Sequence, residues 1–80
     1  MRLDKYLKVT RIIKRRTVAN EACDAGRIIV NGKVARASYD IKINDIIEIN
    51  LGTKPVKVKV VAVTEHVTKE TAADNYEVVV

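Results

Sequence analysis

The sequence has no tryptophan and no phenylalanine; its aromatic residues are three tyrosines. Any core it builds must therefore be aliphatic. It has one cysteine, Cys23, and one histidine, His66. One cysteine cannot form a disulfide within the chain, and one Cys with one His cannot make a metal site. Cys23 reads as a small buried hydrophobe and His66 as an exposed loop residue. Residues 1–16 contain no continuous apolar run. That excludes a signal peptide or membrane span there, and a soluble intracellular protein with no membrane partner is expected. Paired catalytic carboxylates are missing as well: Asp4, Glu21, Asp24, Asp40, Asp45 and Glu48 are scattered through helix and turn positions. No Gly-x-x-x-x-Gly-Lys loop occurs. Eighty residues make one domain at most, with a small core. No enzyme, cofactor or metal centre is expected.

What the chain does have is charge placed at one end. The net charge is +5. Arg2, Lys5, Lys8, Arg11, Lys14, Arg15 and Arg16 stand against the single acid Asp4, a net of +6 within residues 1–16. The remaining 64 residues are close to neutral. A basic footprint confined to one segment points to a polyanionic partner docked there.

Leu3, Tyr6 and Leu7 stand at i, i+3, i+4, which predicts a short helix over about residues 2–8. Asp4 suits its first turn and is placed to pair with Lys8. Residues 10–16 read as a turn or a loose helical segment, with a break near Thr10 and with Ile12 and Ile13 plugging the core. Thr17 is the expected N-cap of a second helix over about 17–25, and Gly26 its C′ residue. Val18, Ala19, Ala22, Cys23 and Ala25 give that helix a small-residue face. Asn31-Gly32 between apolar runs is a strong hairpin signal. Ile41 and Ile43 lead to a second turn at Asn44-Asp45, followed by a strand over 46–51. Val56, Val58 and Val60 alternate with Lys57 and Lys59, so the valines are expected inward and the lysines outward. A short helix is expected near Thr68, and Tyr76–Val80 reads as either a last short strand or an apolar tail packed on the domain. The order gives an α+β domain: two or three short N-terminal helices on a small, mostly antiparallel sheet.

The basic residues recur every three positions, so on one continuous helix they would wander around the axis. A break near Thr10 folds the second half back and can bring both halves to one surface. Lys14, Arg15 and Arg16 then precede a helix N-terminus, whose partial positive charge suits phosphate. Tyr6 belongs to the core, so base stacking is minor and recognition of structured RNA by shape and backbone is expected. The expected RNA contacts are Arg2, Lys5, Arg11, Lys14, Arg15 and Arg16, foremost Arg2 and Arg16, which flank the helical pair. Arg11 has a structural alternative as an ion-pair partner of Asp4. Lys33, Arg36, Lys57 and Lys59 read as solvated strand residues. Neutralising about four to six phosphates would give a log–log salt slope of roughly −3 to −5.

Arg2-Leu3-Asp4-Lys5-Tyr6-Leu7, then Arg11, Lys14, Arg16-Thr17, and Gly26-Arg27 through Val30-Asn31-Gly32 resemble the S4-like RNA-binding domain, or αL motif. The resemblance covers about residues 1–60. It implies two or three short helices on an antiparallel sheet, and binding of structured RNA through the helical pair. Asn44-Asp45 stands where that family usually has Gly-Asp; Asn tolerates the left-handed geometry. Some S4-domain enzymes carry the motif as an appendage, whereas a free-standing module is expected here. The first seventeen residues are further similar to the RqcP (YabO) family, with the fifteen-kilodalton heat-shock protein a more distant relative. That likeness implies a cytoplasmic, ribosome-associated factor, monomeric off the ribosome. Its partners would be large-subunit rRNA and P-site peptidyl-tRNA, which it stabilises while a NEMF-class tailing protein (RqcH) extends the stalled chain with alanine. The domain is expected over residues 1–64, with an extension of unknown role over 65–80. Two alternatives stay open: another structured RNA, such as a ribosome-assembly intermediate, or a basic protein-interaction module.

Overall fold

The apolar stripe Leu3–Tyr6–Leu7 does fold into a helix, α1, spanning Leu3–Val9, with all three side chains fully buried. The computed structural model describes residues 1–64 and 71–79. The N-terminal turn of α1 is closed by a distant loop rather than by a capping side chain. The backbone N–H groups of Leu3 and Asp4 donate to the carbonyls of Tyr39 (2.7 Å) and Ala37 (3.1 Å). Helix starts leave such donors without partners, and here the 36–41 loop supplies them. At the other end the Thr10 hydroxyl, buried, donates to the Tyr6 carbonyl at 2.7 Å. The chain then reverses at Arg11, whose φ of 61° is unusual for a residue with a side chain. The break thus lies one residue beyond Thr10. Ile13 is buried behind it and Ile12 is half-buried.

Helix α2 spans Arg16–Asp24 and packs against α1. Its N-cap is Arg15, in extended backbone (φ −119°, ψ 132°), and no side chain caps it. The expectation that Thr17 is the cap is therefore corrected. Thr17 already lies inside the first turn, whereas a cap must sit outside it in non-helical backbone. The buried stripe of α2 is Ala19, Ala22 and Cys23, at i, i+3, i+4. Val18 and Ala25, expected on that face, are exposed because they fall off this spacing. Gly26 ends the helix at φ 74°, its N–H donating to the Cys23 carbonyl while the Arg27 N–H donates to Ala22. This is the Schellman arrangement, and it needs a residue that tolerates positive φ.

Five short antiparallel strands follow in the order β2-β1-β3-β4-β5: β1 Ile28–Val30, β2 Lys33–Val34, β3 Ile46–Ile49, β4 Val56–Val60 and β5 Tyr76–Val78. The β1–β2 turn is Asn31-Gly32, both at positive φ, as the hairpin signal requires. Asn31 does more than turn. Its amide donates to Asp45 (3.0 Å), its carbonyl oxygen accepts from the Ile46 N–H (3.0 Å), and Asp45 also accepts from Lys42 N and the Tyr39 hydroxyl. Asn44 takes a φ of 77°, so the Gly-to-Asn departure keeps the turn.

Ile28, Val30, Ile47, Ile49, Val58 and Val60 line one face of the sheet and join Leu3, Tyr6 and Leu7 in one core. Each such side chain contributes about 1.5–3 kcal/mol by leaving water. Val56, expected inward, is exposed at the end of β4. The opposite face carries cross-strand pairs of opposite charge, Glu48 beside Lys57 and Lys59 beside Glu77. Past residue 64, a 3₁₀ turn over Ala72–Asn75 leads into β5, which pairs with β4. The Asn75 carbonyl accepts from the buried Tyr6 hydroxyl (2.6 Å) and from the N–H groups of Val61 and Ala62. The helix expected near Thr68, His66 and the end of the last strand at Val80 lie outside the described residues.

Candidate nucleic-acid interface

Reversal at Arg11 carries the connector back along α1 and packs α2 against it, so that Arg16, the first residue of α2, returns to the start of α1. There it meets Asp4. The Arg2 guanidinium donates through Nε to Asp4 Oδ1 (3.2 Å) and through Nη2 to Oδ2 (3.3 Å). Arg16 donates through Nη2 to Oδ1 at 3.4 Å, with its Nε 3.4 Å from Oδ2. Asn20, one turn further along α2, donates its amide to Oδ2 (3.3 Å), and the Lys5 backbone N–H donates to Oδ1 (2.8 Å). The carboxylate is 3% exposed, while the Arg2 and Arg16 side chains are 51% and 48% exposed. One buried acid thus joins two half-exposed arginines, and both oxygens of that acid are used inward.

Burial works against ionisation of Asp4, but the hydrogen bonds from Arg16, Asn20, Arg2 and the Lys5 N–H outweigh it and hold the carboxyl below its usual range. It is a carboxylate at any ordinary pH. This corrects the expected Asp4–Lys8 pair, and the alternative Arg11 pair: the acid takes Arg2 and Arg16, and Lys8 is exposed. The i+4 lysine can offer a single point charge in water. Two planar forks on a desolvated carboxylate are the stronger arrangement.

Burial likewise moves two other groups. It pushes the Tyr6 phenol up, helped by Tyr76, so its hydroxyl remains a hydrogen-bond donor to Asn75. The Cys23 thiol is pushed up to about 11 by burial and then by the charges of Asp4 and Asp24. It is a protonated core group.

The six expected contact residues do not form one cluster. Arg2 and Arg16 are brought together. Lys14 and Arg15 are exposed on the connector that leads into α2, next to Arg16. Lys5 is half-buried on α1. Arg11 lies at the other end of α1, which at seven residues is about 10 Å long. It lines a shallow groove with Ile12, Leu51, Lys54, Val56 and Val78. Conversely, Arg36, read as a solvated strand residue, lines the same groove as Arg2, Asn20 and Ser38, between α2 and the 34–38 segment. Ala35 and Ala37 are buried and Arg36 between them is exposed; alternation alone turns it outward, and only the course of the 34–38 segment brings it beside Arg2. Among the described residues no helix is long and apolar enough to cross a membrane.

Comparison with known proteins places this surface in context. The S4 domain family matches residues 1–47. The chain is 57% identical over 79 residues, 99% of its length and 90% of the relative's, to an RQC P-site tRNA stabilizing factor of Streptococcus pneumoniae. It is 49% identical over 78 residues, 98% of its length and 91% of the relative's, to the factor of the same name from Bacillus subtilis. Among solved structures, Heat Shock Protein 15 of Vibrio cholerae superposes with a TM-score of 0.92 at 24% identity, covering 99% of this chain and 81% of that one. This last likeness is one of fold.

Proposed function

The chain belongs to the S4-domain family and groups with the RQC P-site tRNA stabilizing factors, and from that premise we propose that it binds structured RNA on the large ribosomal subunit and stabilises P-site peptidyl-tRNA during ribosome-associated quality control. The observation that carries this reading is the pair Arg2 and Arg16, fixed side by side on a buried carboxylate with half of each side chain open to solvent. The guanidinium donors not spent on Asp4 belong to half-exposed side chains, and a planar guanidinium fork suits the geometry of backbone phosphates. Lys5, Lys14, Arg15 and Arg36 extend the same positive surface, and Arg11 adds its charge from the far end of α1.

In the cell the protein then acts in the cytoplasm on ribosomes. The partners are large-subunit rRNA, the P-site tRNA and a NEMF-class tailing protein (RqcH) that extends the stalled chain with alanine. Off the ribosome it is a monomer. Its edge strands support this, since β2 has two residues and β5 three, too short to template pairing with a second sheet. Affinity purification of the tagged protein, with sequencing of the bound RNA and identification of co-purifying proteins, tests the reading. Large-subunit rRNA and tRNA are expected in the eluate. Their absence, or a protein complex that survives RNase intact, would overturn it.

A further inference from the structure

We propose that Asp4 is the positioning residue of the RNA surface: its carboxylate touches no ligand and acts by holding Arg2 and Arg16 in register. The proposal rests on the reading of those two arginines as RNA contacts. Three features support it. The first is geometric. Oδ1 and Oδ2 together receive Arg2, Arg16, Asn20 and the Lys5 N–H, so among the described residues both oxygens are taken up by bonds within the protein. At 3% exposure it is roofed by the arginines and hidden from an approaching phosphate.

The second is electrostatic. Two guanidinium groups close together repel one another, and unpaired they would spread over many rotamers. A shared carboxylate removes the repulsion and fixes both planes. Ordering these long side chains in advance removes a cost that binding would otherwise carry. The third is topological. The backbone of Asp4 is itself held by the Ala37 carbonyl, and its neighbour Leu3 by Tyr39. The acid is therefore anchored to the sheet-side loop, and the arginines are anchored to the acid.

The proposal has an unusual sign. An acid among RNA-binding cations opposes RNA in the long-range field. Deleting its charge should then tighten binding if field strength were all that mattered. A positioning role predicts the reverse for a structured target. The test uses the full-length chain with purified large subunits carrying tRNA in the P site, and with poly(U) as a probe without fixed shape. Asp4→Asn is expected to weaken subunit binding by about tenfold, as for a surface correctly arranged a tenth of the time, while poly(U) binding holds or rises. Asp4→Glu, which keeps the charge, should recover part of the loss. In an Arg2→Ala/Arg16→Ala background Asp4→Asn should cost nothing further. The arginine Nε–H resonances of Arg2 and Arg16 should exchange faster with water in the Asn variant.

Unchanged or tighter subunit binding by Asp4→Asn overturns the proposal, as does an undiminished loss in the double-alanine background. Should Asp4→Asn fail to fold, Asn20→Ala decides: it removes one donor to Oδ2 from a half-exposed position. A smaller loss of subunit affinity with faster arginine N–H exchange supports positioning, and wild-type affinity rejects it. Failure of the underlying reading looks different. Arg16→Ala would then leave subunit binding unchanged, whereas failure of the Asp4 proposal alone leaves the Arg16→Ala loss in place.

Discussion

The two ends of α1 carry the same type of residue in opposite circumstances. At its start, Arg2 shares a buried carboxylate with Arg16, and both guanidinium groups are oriented. Just past its end, Arg11 sits at a φ of 61° on the rim of a groove lined by Ile12, Leu51, Val56 and Val78, with Lys54 as the other cation and no acid among the lining residues. In the sequence the two arginines are equal members of one basic run. In the fold, one is part of an ordered pair, and the other is a solvated charge on a strained turn. Charge density attracts a polyanion from a distance, but order in the charged groups lets it grip.

This contrast can be broken at either end. The largest effect is expected for Arg16→Ala, which removes charge-assisted bonds worth about 1.5–3 kcal/mol. Binding to tRNA-loaded large subunits should fall by roughly tenfold to a hundredfold, while the domain stays folded because Asp4 keeps Arg2, Asn20 and the Lys5 N–H. A large drop in melting temperature would instead make Arg16 a structural residue. Next is Arg11→Gly. Relief of left-handed backbone strain should raise stability, by up to about 1 kcal/mol in denaturant titration. A loss would show that the Arg11 side chain holds the turn.

Third is acid sensitivity. The folded pKa of Asp4 lies below its ordinary value of 3.8, so its ionised form stabilises the fold. That contribution is complete above the ordinary value and is lost as pH falls through the lowered one. Thermal melts down the acid range should show the wild type losing its advantage over Asp4→Asn there, and a constant gap would contradict the ion-pair assignment. The smallest effect is expected for Arg11→Ala in the subunit-binding assay, about twofold or less, the usual scale of a surface substitution. A loss matching that of Arg16→Ala would erase the distinction between the two ends.

Local chemistry carried most of the architecture. The i, i+3, i+4 stripe of α1, the Gly26 stop, the Asn31-Gly32 hairpin and the Val58–Val60 alternation are each decided within a few residues, so they could be read directly. What could not be read depends on chain reversal. Asp4 bonds Arg16 from twelve residues away, and nothing in the spacing ranks it above Lys8 at i+4. Asn31 bonds Asp45 across fourteen positions, so only its turn role was visible. Arg36 joins the Arg2 groove because of where the 34–38 segment runs, which is tertiary information. Thr17 failed as a cap because cap identity requires knowing where helical backbone begins, and composition does not say. That Arg2 and Arg16 flank the helical pair was expected from the sequence; that Asp4 joins them was not.

The bond from the Tyr6 hydroxyl to the Asn75 carbonyl spans 69 positions, and it ties the seat of α1 to the far side of the sheet. Helix α1 gains this anchor only once the segment around Asn75 has been brought back to it. Contacts of such long range are the slow ones to form, because the intervening chain must first be ordered. The helix that Arg2 opens and that carries Asp4 therefore depends for its final seat on a residue beside the edge strand at the far side of the sheet.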